Sequence, residues 1–280
     1  MDFHNKNVDI FFPKNNEQDV LEVDFLAIGA HQDDIEIMSF PPILEAYHSD
    51  KKFAAVTCTD GAGSPSSGPY ASYTREEMIE CRKQEERTAA KLGNYTFLMQ
   101  LGYTSADARS KEGNDFLVKD LEQIILKYRP KRIYTHNPFD KHKTHLSVYC
   151  ATIKALHNIL KEYEPMKVYG GECWRDLDWI PDGLKETVSI GNDITLLEIL
   201  LGTYQSQVAS GKRYDKAAIA RLQANSTYAD PYTLDKSNYV SCFLDLTSVA
   251  LNQISTKDYM ERYLTYFLKE VRDNVEKLPW

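Results

Sequence analysis

A Rossmann-like α/β fold is what this 280-residue sequence predicts: a mainly parallel sheet with helices on both faces, followed by a mixed C-terminal extension. Three observations carry it. Short apolar runs alternate with segments of helical period from residue 23 to about residue 170, the rhythm of right-handed βαβ units. The early runs are apolar throughout rather than alternating, as strands buried on both faces are. Polar segments rich in His and Asp follow the first and fourth runs, where strand ends pass into helices.

Each element has its own reason. Residues 1–20 are polar and irregular and read as an arm. Residues 23–30 (VDFLAIGA) form the first strand. Pro41 and Pro42 suit only the first turn of a helix, so Ser39 is its predicted N-cap. Residues 53–59 form the second strand, and 60–73 are a Gly-, Ser- and Pro-rich loop. Thr74 and Glu77 have capping-box spacing for a helix that runs to Leu92 and stops at Gly93. Residues 95–101 are the third strand. Phe116, Leu117, Leu121, Ile124, Ile125 and Tyr128 share one helical face, ended by Pro130. Residues 131–135 are the fourth strand. A helix over 145–163 has Leu146, Tyr149, Ile153, Leu156 and Leu160 as its inner stripe, and 166–169 begin a fifth strand. Beyond residue 185 the pattern changes: helices over 194–207 and 212–225, a strand over 239–246 and an amphipathic helix over 256–277. No repeat or linker divides the chain. It reads as one domain over 1–280, with an arm (1–20), a parallel core (23–170) and an extension (171–280).

The formal charge is −8, from 33 Lys and Arg against 41 Asp and Glu. That argues against bulk electrostatic binding to nucleic acid or an anionic membrane. No run approaches the ~18 apolar residues of a membrane span. The first residues lack a basic start followed by an apolar run, so a cytoplasmic protein is expected. Five scattered cysteines without a C-x-x-C pair fit reduced thiols, with Cys58 and Cys150 read as core residues. A homo-oligomer is compatible with all of this.

Ligands of a doubly wound sheet bind beyond the carboxyl ends of its strands. The first strand ends in Ala30-His31-Gln32-Asp33-Asp34-Ile35-Glu36, the fourth in His136-Asn137-Pro138-Phe139-Asp140-Lys141-His142-Lys143-Thr144-His145. Two adjacent carboxylates repel unless a cation relieves them. A His and an Asp from one segment and a His from the other would give three N/O ligands and an open position for water, as in catalytic zinc sites.

These segments resemble those of the LmbE/PIG-L zinc deacetylases, which remove acetyl groups from N-acetylglucosamine-type substrates. The A-H-x-D-D-x-E run at 30–36 and the D-x-H-x-x-H run at 140–145 carry the likeness. Thr59-Asp60-Gly61 and the Arg82 to Glu86 and Ala89 to Gly93 segments extend it over residues 23–165. The resemblance implies His31, Asp34 and His145 as zinc ligands, Asp33 as general base and His142 as a protonated group at the oxyanion or leaving amine. It implies an amino-sugar or glycoconjugate substrate. Arg82, Asp107 and Trp174 are the expected substrate contacts, and Glu36, His136 and Asp140 are expected to stand behind the ligands. A His₂Asp set also suits iron(II).

The sequence departs from the family pattern at Gln32 (Pro in the family), at Phe40-Pro41 (a Gly-Gly pair) and at Thr144 (Asp). Thr144 cannot raise a neighbouring His pKa by charge. Two alternatives therefore stand beside the deacetylase: another metal hydrolase on this scaffold, acting on a phosphoester or a different amide, and a non-catalytic carbohydrate-binding relative.

Overall fold

The computed structural model describes residues 1–14, 20–63, 66–209 and 211–279. Part of the predicted arm (15–19) and of the polar loop (64–65) lies outside the described residues. Eight strands form one sheet: β1 (Asp9–Phe11), β2 (Phe25–Gly29), β3 (Phe53–Thr59), β4 (Phe97–Tyr103), β5 (Arg132–His136), β6 (Lys167–Gly171), β7 (Glu186–Gly191) and β8 (Tyr239–Asp245). Their spatial order is β1-β4-β3-β2-β5-β6-β8-β7. Strand β2 pairs in parallel with β3 and with β5. The predicted first and fourth strands are thus neighbours, with Ile28 opposite Thr135. The chain builds outward from β2 to β4, then crosses back to β5. A crevice for ligands opens at that switch between β2 and β5.

The helices are α1 (Asp34–Met38), α2 (Phe40–Tyr47), α3 (Arg75–Leu92), α4 (Ser105–Arg109), α5 (Lys111–Tyr128), α6 (Lys143–Ile159), α7 (Thr195–Gly202), α8 (Gln205–Val208), α9 (Tyr214–Thr227), α10 (Thr247–Ala250) and α11 (Thr256–Glu276). Every residue of β2 and β3 is buried, because helices cover both faces. Alternate side chains of β2 serve different cores. Leu26 and Ile28 pack with Leu121, Ile125 and Leu156 of α5 and α6. Phe25 and Ala27 pack with Ile43, Ala89 and Leu197 of α2, α3 and α7. Each such large side chain contributes about 1.5–3 kcal/mol by leaving water.

Local signals behave as their chemistry requires. Thr74 Oγ1 accepts from the Glu77 N–H at 3.2 Å, and the Glu77 carboxylate accepts from the Thr74 N–H at 2.8 Å. The Ala89 carbonyl takes the Gly93 N–H at 2.7 Å and closes α3. Ser39 does begin α2, with the two prolines in its first turn, but its hydroxyl makes no capping bond.

Four expectations are corrected. The arm contributes β1, an edge strand antiparallel to β4, too short to show a period. The predicted helix over 194–207 is broken into α7 and α8, where Tyr204 turns inward to give its hydroxyl to Glu36 at 2.7 Å. Strand β7 was not foreseen, because most of it is exposed and it carries little apolar signal. Cys150 is exposed on the outer side of α6, between the buried Tyr149 and Ala151. Strand β8 pairs antiparallel with both β6 and β7 and gives the extension its mixed character. No described helix is long and apolar enough to cross a membrane.

Candidate active site

The chain leaves β2 at the switch point, and two side chains fix its exit. His136, the last residue of β5, accepts the Ala30 N–H on Nε2 at 3.0 Å. Thr59, the last residue of β3, gives its hydroxyl to the Ala30 carbonyl at 2.7 Å. Asp33 then takes a left-handed backbone, with φ 88°. A non-glycine residue there is strained, and such strain collects at functional turns. Asp34 begins α1, and both Asp33 and Asp34 line a cavity.

Three donor atoms meet beneath that cavity. Asp34 Oδ2 lies 3.2 Å from His31 Nδ1 and 3.3 Å from His145 Nε2, and those two nitrogens are 3.2 Å apart. A tetrahedral ion with N/O bonds of about 2.0–2.1 Å spans ligand pairs about 3.3–3.4 Å apart. The donor set therefore fits a divalent cation in size and in chemistry. Asp34 Oδ2 also accepts the His31 N–H at 2.7 Å, and Asp34 Oδ1 accepts the Cys173 thiol at 3.2 Å. Burial opposes ionisation of Asp34, but His145, His136 and His31 overcome it and hold the carboxyl well below the usual range. Burial in turn lowers His145 to about 4, which leaves it neutral and able to ligate. Its Nδ1 faces Asp140 Oδ2 at 3.2 Å. A carboxylate behind a histidine fixes the tautomer that turns Nε2 to a metal. Asp140 is itself held by the His142 and Trp174 N–H groups at 2.8 and 3.1 Å.

Asp33 faces differently. Among the described residues no hydrogen bond reaches its carboxylate. Burial, then the charges of Asp34 and Glu36, push it well above the usual range, and nearby Arg82 pulls the other way. Arg82 is buried in the cavity wall and donates to Ser206 at 3.3 Å. His142 caps α6, with its ring centroid 5.0 Å from that of His31 and 5.2 Å from that of Trp174. Burial, then the charge of His31, lowers His142 below the usual histidine range. That direction runs against the expected imidazolium. Asp140 meets its backbone, and Thr144 brings no charge. The cavity is about 710 Å³ and is walled by Trp174 and Tyr214. Among the described residues its acids are Asp33 and Asp34, whereas Arg109, Lys141, Lys212 and Arg221 also line it. None of these four cations forms an ion pair among the described residues.

Other expected residues lie elsewhere. Glu36 touches no ligand: it accepts the Tyr95 and Tyr204 hydroxyls at 2.6 and 2.7 Å and anchors α1. His136 stacks on His145, with centroids 4.0 Å apart, and supports that ring from behind. Asp107 is the capping-box carboxylate of α4, receives the Thr104 hydroxyl at 2.6 Å and lines a different cavity.

The comparisons with known proteins fit this geometry. The family described as PIG-L, GlcNAc-PI de-N-acetylase, matches residues 26–156. An uncharacterized deacetylase of Escherichia coli K12, YaiS, is 32% identical over 139 residues, 48% of this chain and 68% of that protein. The chain belongs to the PIG-L (LmbE-like) deacetylase family. Among solved structures, the N,N'-diacetylchitobiose deacetylase of Pyrococcus horikoshii superposes with a TM-score of 0.61 at 16% identity, covering 88% of this chain and 90% of that one. GalB, the 4-carboxy-2-hydroxymuconate hydratase of Pseudomonas putida KT2440, gives a TM-score of 0.61 at 15% identity, over 80% of this chain and 96% of that one. At such identities the likeness is one of fold.

Within the PIG-L fold, the departures in this chain have local causes. The Gln32 side chain bridges the Thr59 carbonyl and Gln100, each at 3.2 Å. Gly61 follows at φ +71°, and a Cβ there would stand 2.1 Å from Gln32 Oε1, so glycine is required. Phe40, the first residue of α2, is buried in the core. Sequence reasoning missed Cys173, whose place two residues past β6 was the available signal. It also missed Gln207, Lys212, Tyr214 and Arg221, which no strand-end rule could find because the extension folds over the crevice.

Proposed function

We propose that this protein is a metal-dependent hydrolase that releases acetate from an N-acetylglucosamine-type sugar or glycoconjugate. One observation carries the reading: the Asp34, His31 and His145 donor triangle, with the unpartnered carboxylate of Asp33 one residue away. When bound, zinc or a similar divalent ion supplies Lewis acidity that acidifies water and polarises an acetyl carbonyl. His31, Asp34 and His145 are the residues that would hold it, with Asp140 orienting His145.

The protein groups then divide the proton work. Asp33 accepts a proton from the attacking water at its carboxylate. A His142 ring N–H donates a hydrogen bond to the carbonyl oxygen as negative charge develops there and keeps its proton throughout. The C–N bond breaks, Asp33 returns its proton to the departing nitrogen, and acetate and a free amine leave. Trp174 and Tyr214 offer ring faces to the sugar. Arg109, Lys141 and Lys212 at the cavity wall favour a substrate that carries an anionic substituent beside the sugar.

Amine release from a panel of neutral and anionic N-acetylglucosaminides, with and without chelator, tests the reading. Chelator-sensitive release is expected. Its absence across the panel would overturn the proposal, and phosphate release in its place would identify a phosphoester hydrolase.

A further inference from the structure

Asp34 uses its two oxygens unequally. Oδ2 belongs to the donor triangle and also accepts the His31 N–H at 2.7 Å. Oδ1 receives the Cys173 thiol at 3.2 Å. Cys173 is 7% exposed and stands two residues beyond β6. Its segment is clamped on every side. The Cys173 carbonyl accepts the Arg221 guanidinium. Glu172 accepts the Leu177 N–H and the Asn225 amide, both at 2.6 Å. The Trp174 N–H is committed to Asp140 at 3.1 Å. A Cβ on Gly171 would stand 2.4 Å from the Met38 carbonyl, so the strand end lies flush against α1. The thiol is held where it is, and two consecutive residues each engage a different carboxylate of the centre.

A carboxylate whose second oxygen is unengaged can swing to bind a cation through both oxygens, which adds a ligand. Added oxygen ligands suit hard six-coordinate ions, whereas zinc sites are mostly four-coordinate. We propose that the Cys173 thiol, by occupying Asp34 Oδ1, keeps this carboxylate to a single coordinating oxygen and so selects a four-coordinate cation over six-coordinate ones. Cys173 is then a positioning residue and not a ligand. The inference rests on the reading of Asp34 as a metal ligand.

Cobalt(II) reports coordination number directly, since four-coordinate cobalt(II) absorbs visible light far more strongly than six-coordinate cobalt(II). The full-length protein loaded with cobalt is expected to show the intense bands, without a sulfur-to-metal charge-transfer band. In Cys173→Ala the visible bands should weaken, and selectivity for Zn²⁺ over Mn²⁺, read by competition with a chelating dye, should fall roughly ten- to hundredfold. Cys173→Ser restores a donor and should recover part of both, which an effect on folding alone would not produce. Unchanged bands and selectivity in Cys173→Ala would overturn the proposal. So would a charge-transfer band in the wild type that disappears with the thiol, because the sulfur would then be a ligand. Asp34→Ala, run beside them, separates the two levels: cobalt binding equal to wild type there would remove Asp34 as a ligand, and this inference with it.

Discussion

Asp33 and Asp34 are the same chemical group one residue apart, and their surroundings give them opposite proton affinities. Asp34 is surrounded by ring nitrogens and a thiol. Asp33 has burial and two like charges for company. At the left-handed Asp33 turn the two carboxyls meet different partners: Asp34 lies among the ring nitrogens, and among the described residues no hydrogen bond reaches the Asp33 carboxylate. Asp34→Ala is expected to lose bound metal together with activity. Asp33→Ala should keep its metal and lose turnover ~10²–10⁴-fold, the usual contribution of a general base. His142→Ala should also keep its metal and lose ~10²–10³-fold, as removal of one oxyanion donor does. Metal content by elemental analysis and turnover by acetate assay check all three. A metal-loaded Asp34→Ala beside a metal-free Asp33→Ala would reverse the assignment.

Helix α1 is five residues long, yet it buries the Glu36 carboxyl, which accepts the Tyr95 and Tyr204 hydroxyls. Burial raises Glu36 from 4.5 to about 7 despite the Tyr95 and Tyr204 bonds. The sign follows from linkage. The unfolded chain releases this proton near the lower value and the folded chain near the higher one, so stability falls as pH rises between them. The loss amounts to roughly 3 kcal/mol at most. Glu36→Gln should flatten that part of the pH dependence of urea unfolding, and an equally steep decline in the variant would contradict the claim. At α3, Thr74→Ala should cost about 1 kcal/mol by removing half of the capping box, read from the same unfolding curves. These elements also show what the sequence disclosed. The Thr74 to Glu77 cap, the apolar runs of β2 and β3, and both histidine segments are local patterns, and local patterns can be read in one dimension. The edge strand β1, the kink at Tyr204 and the wall supplied by α9 depend on long-range partners, such as Gln100 for Asp9 and Glu36 for Tyr204. The same reason hid Cys173, whose importance lies in an oxygen 139 positions away in sequence.

At the scale of the whole molecule, the sheet order explains why the site exists where it does. Strands β2 and β5 are adjacent and parallel although more than a hundred residues separate them, and each delivers part of one donor set. The proposed donor triangle takes residues from both segments, so a bound cation would tie the two sides of the switch point together. Metal removal should therefore lower the unfolding midpoint as well as abolish activity, by an amount that depends on the free metal concentration. The chain is acidic as a whole, at −8, while five cations, Arg82 among them, line the cavity and form no ion pair among the described residues. Turnover of anionic glycosides should consequently weaken with rising salt more than turnover of neutral ones. The most direct test of the central claim is a zinc titration of metal-stripped protein, followed by acetate release from an N-acetylglucosaminide. Acetate release should rise from zero, saturate near one zinc per chain and vanish again with chelator. A protein that takes up its zinc and releases no acetate from any N-acetylated sugar would contradict the account.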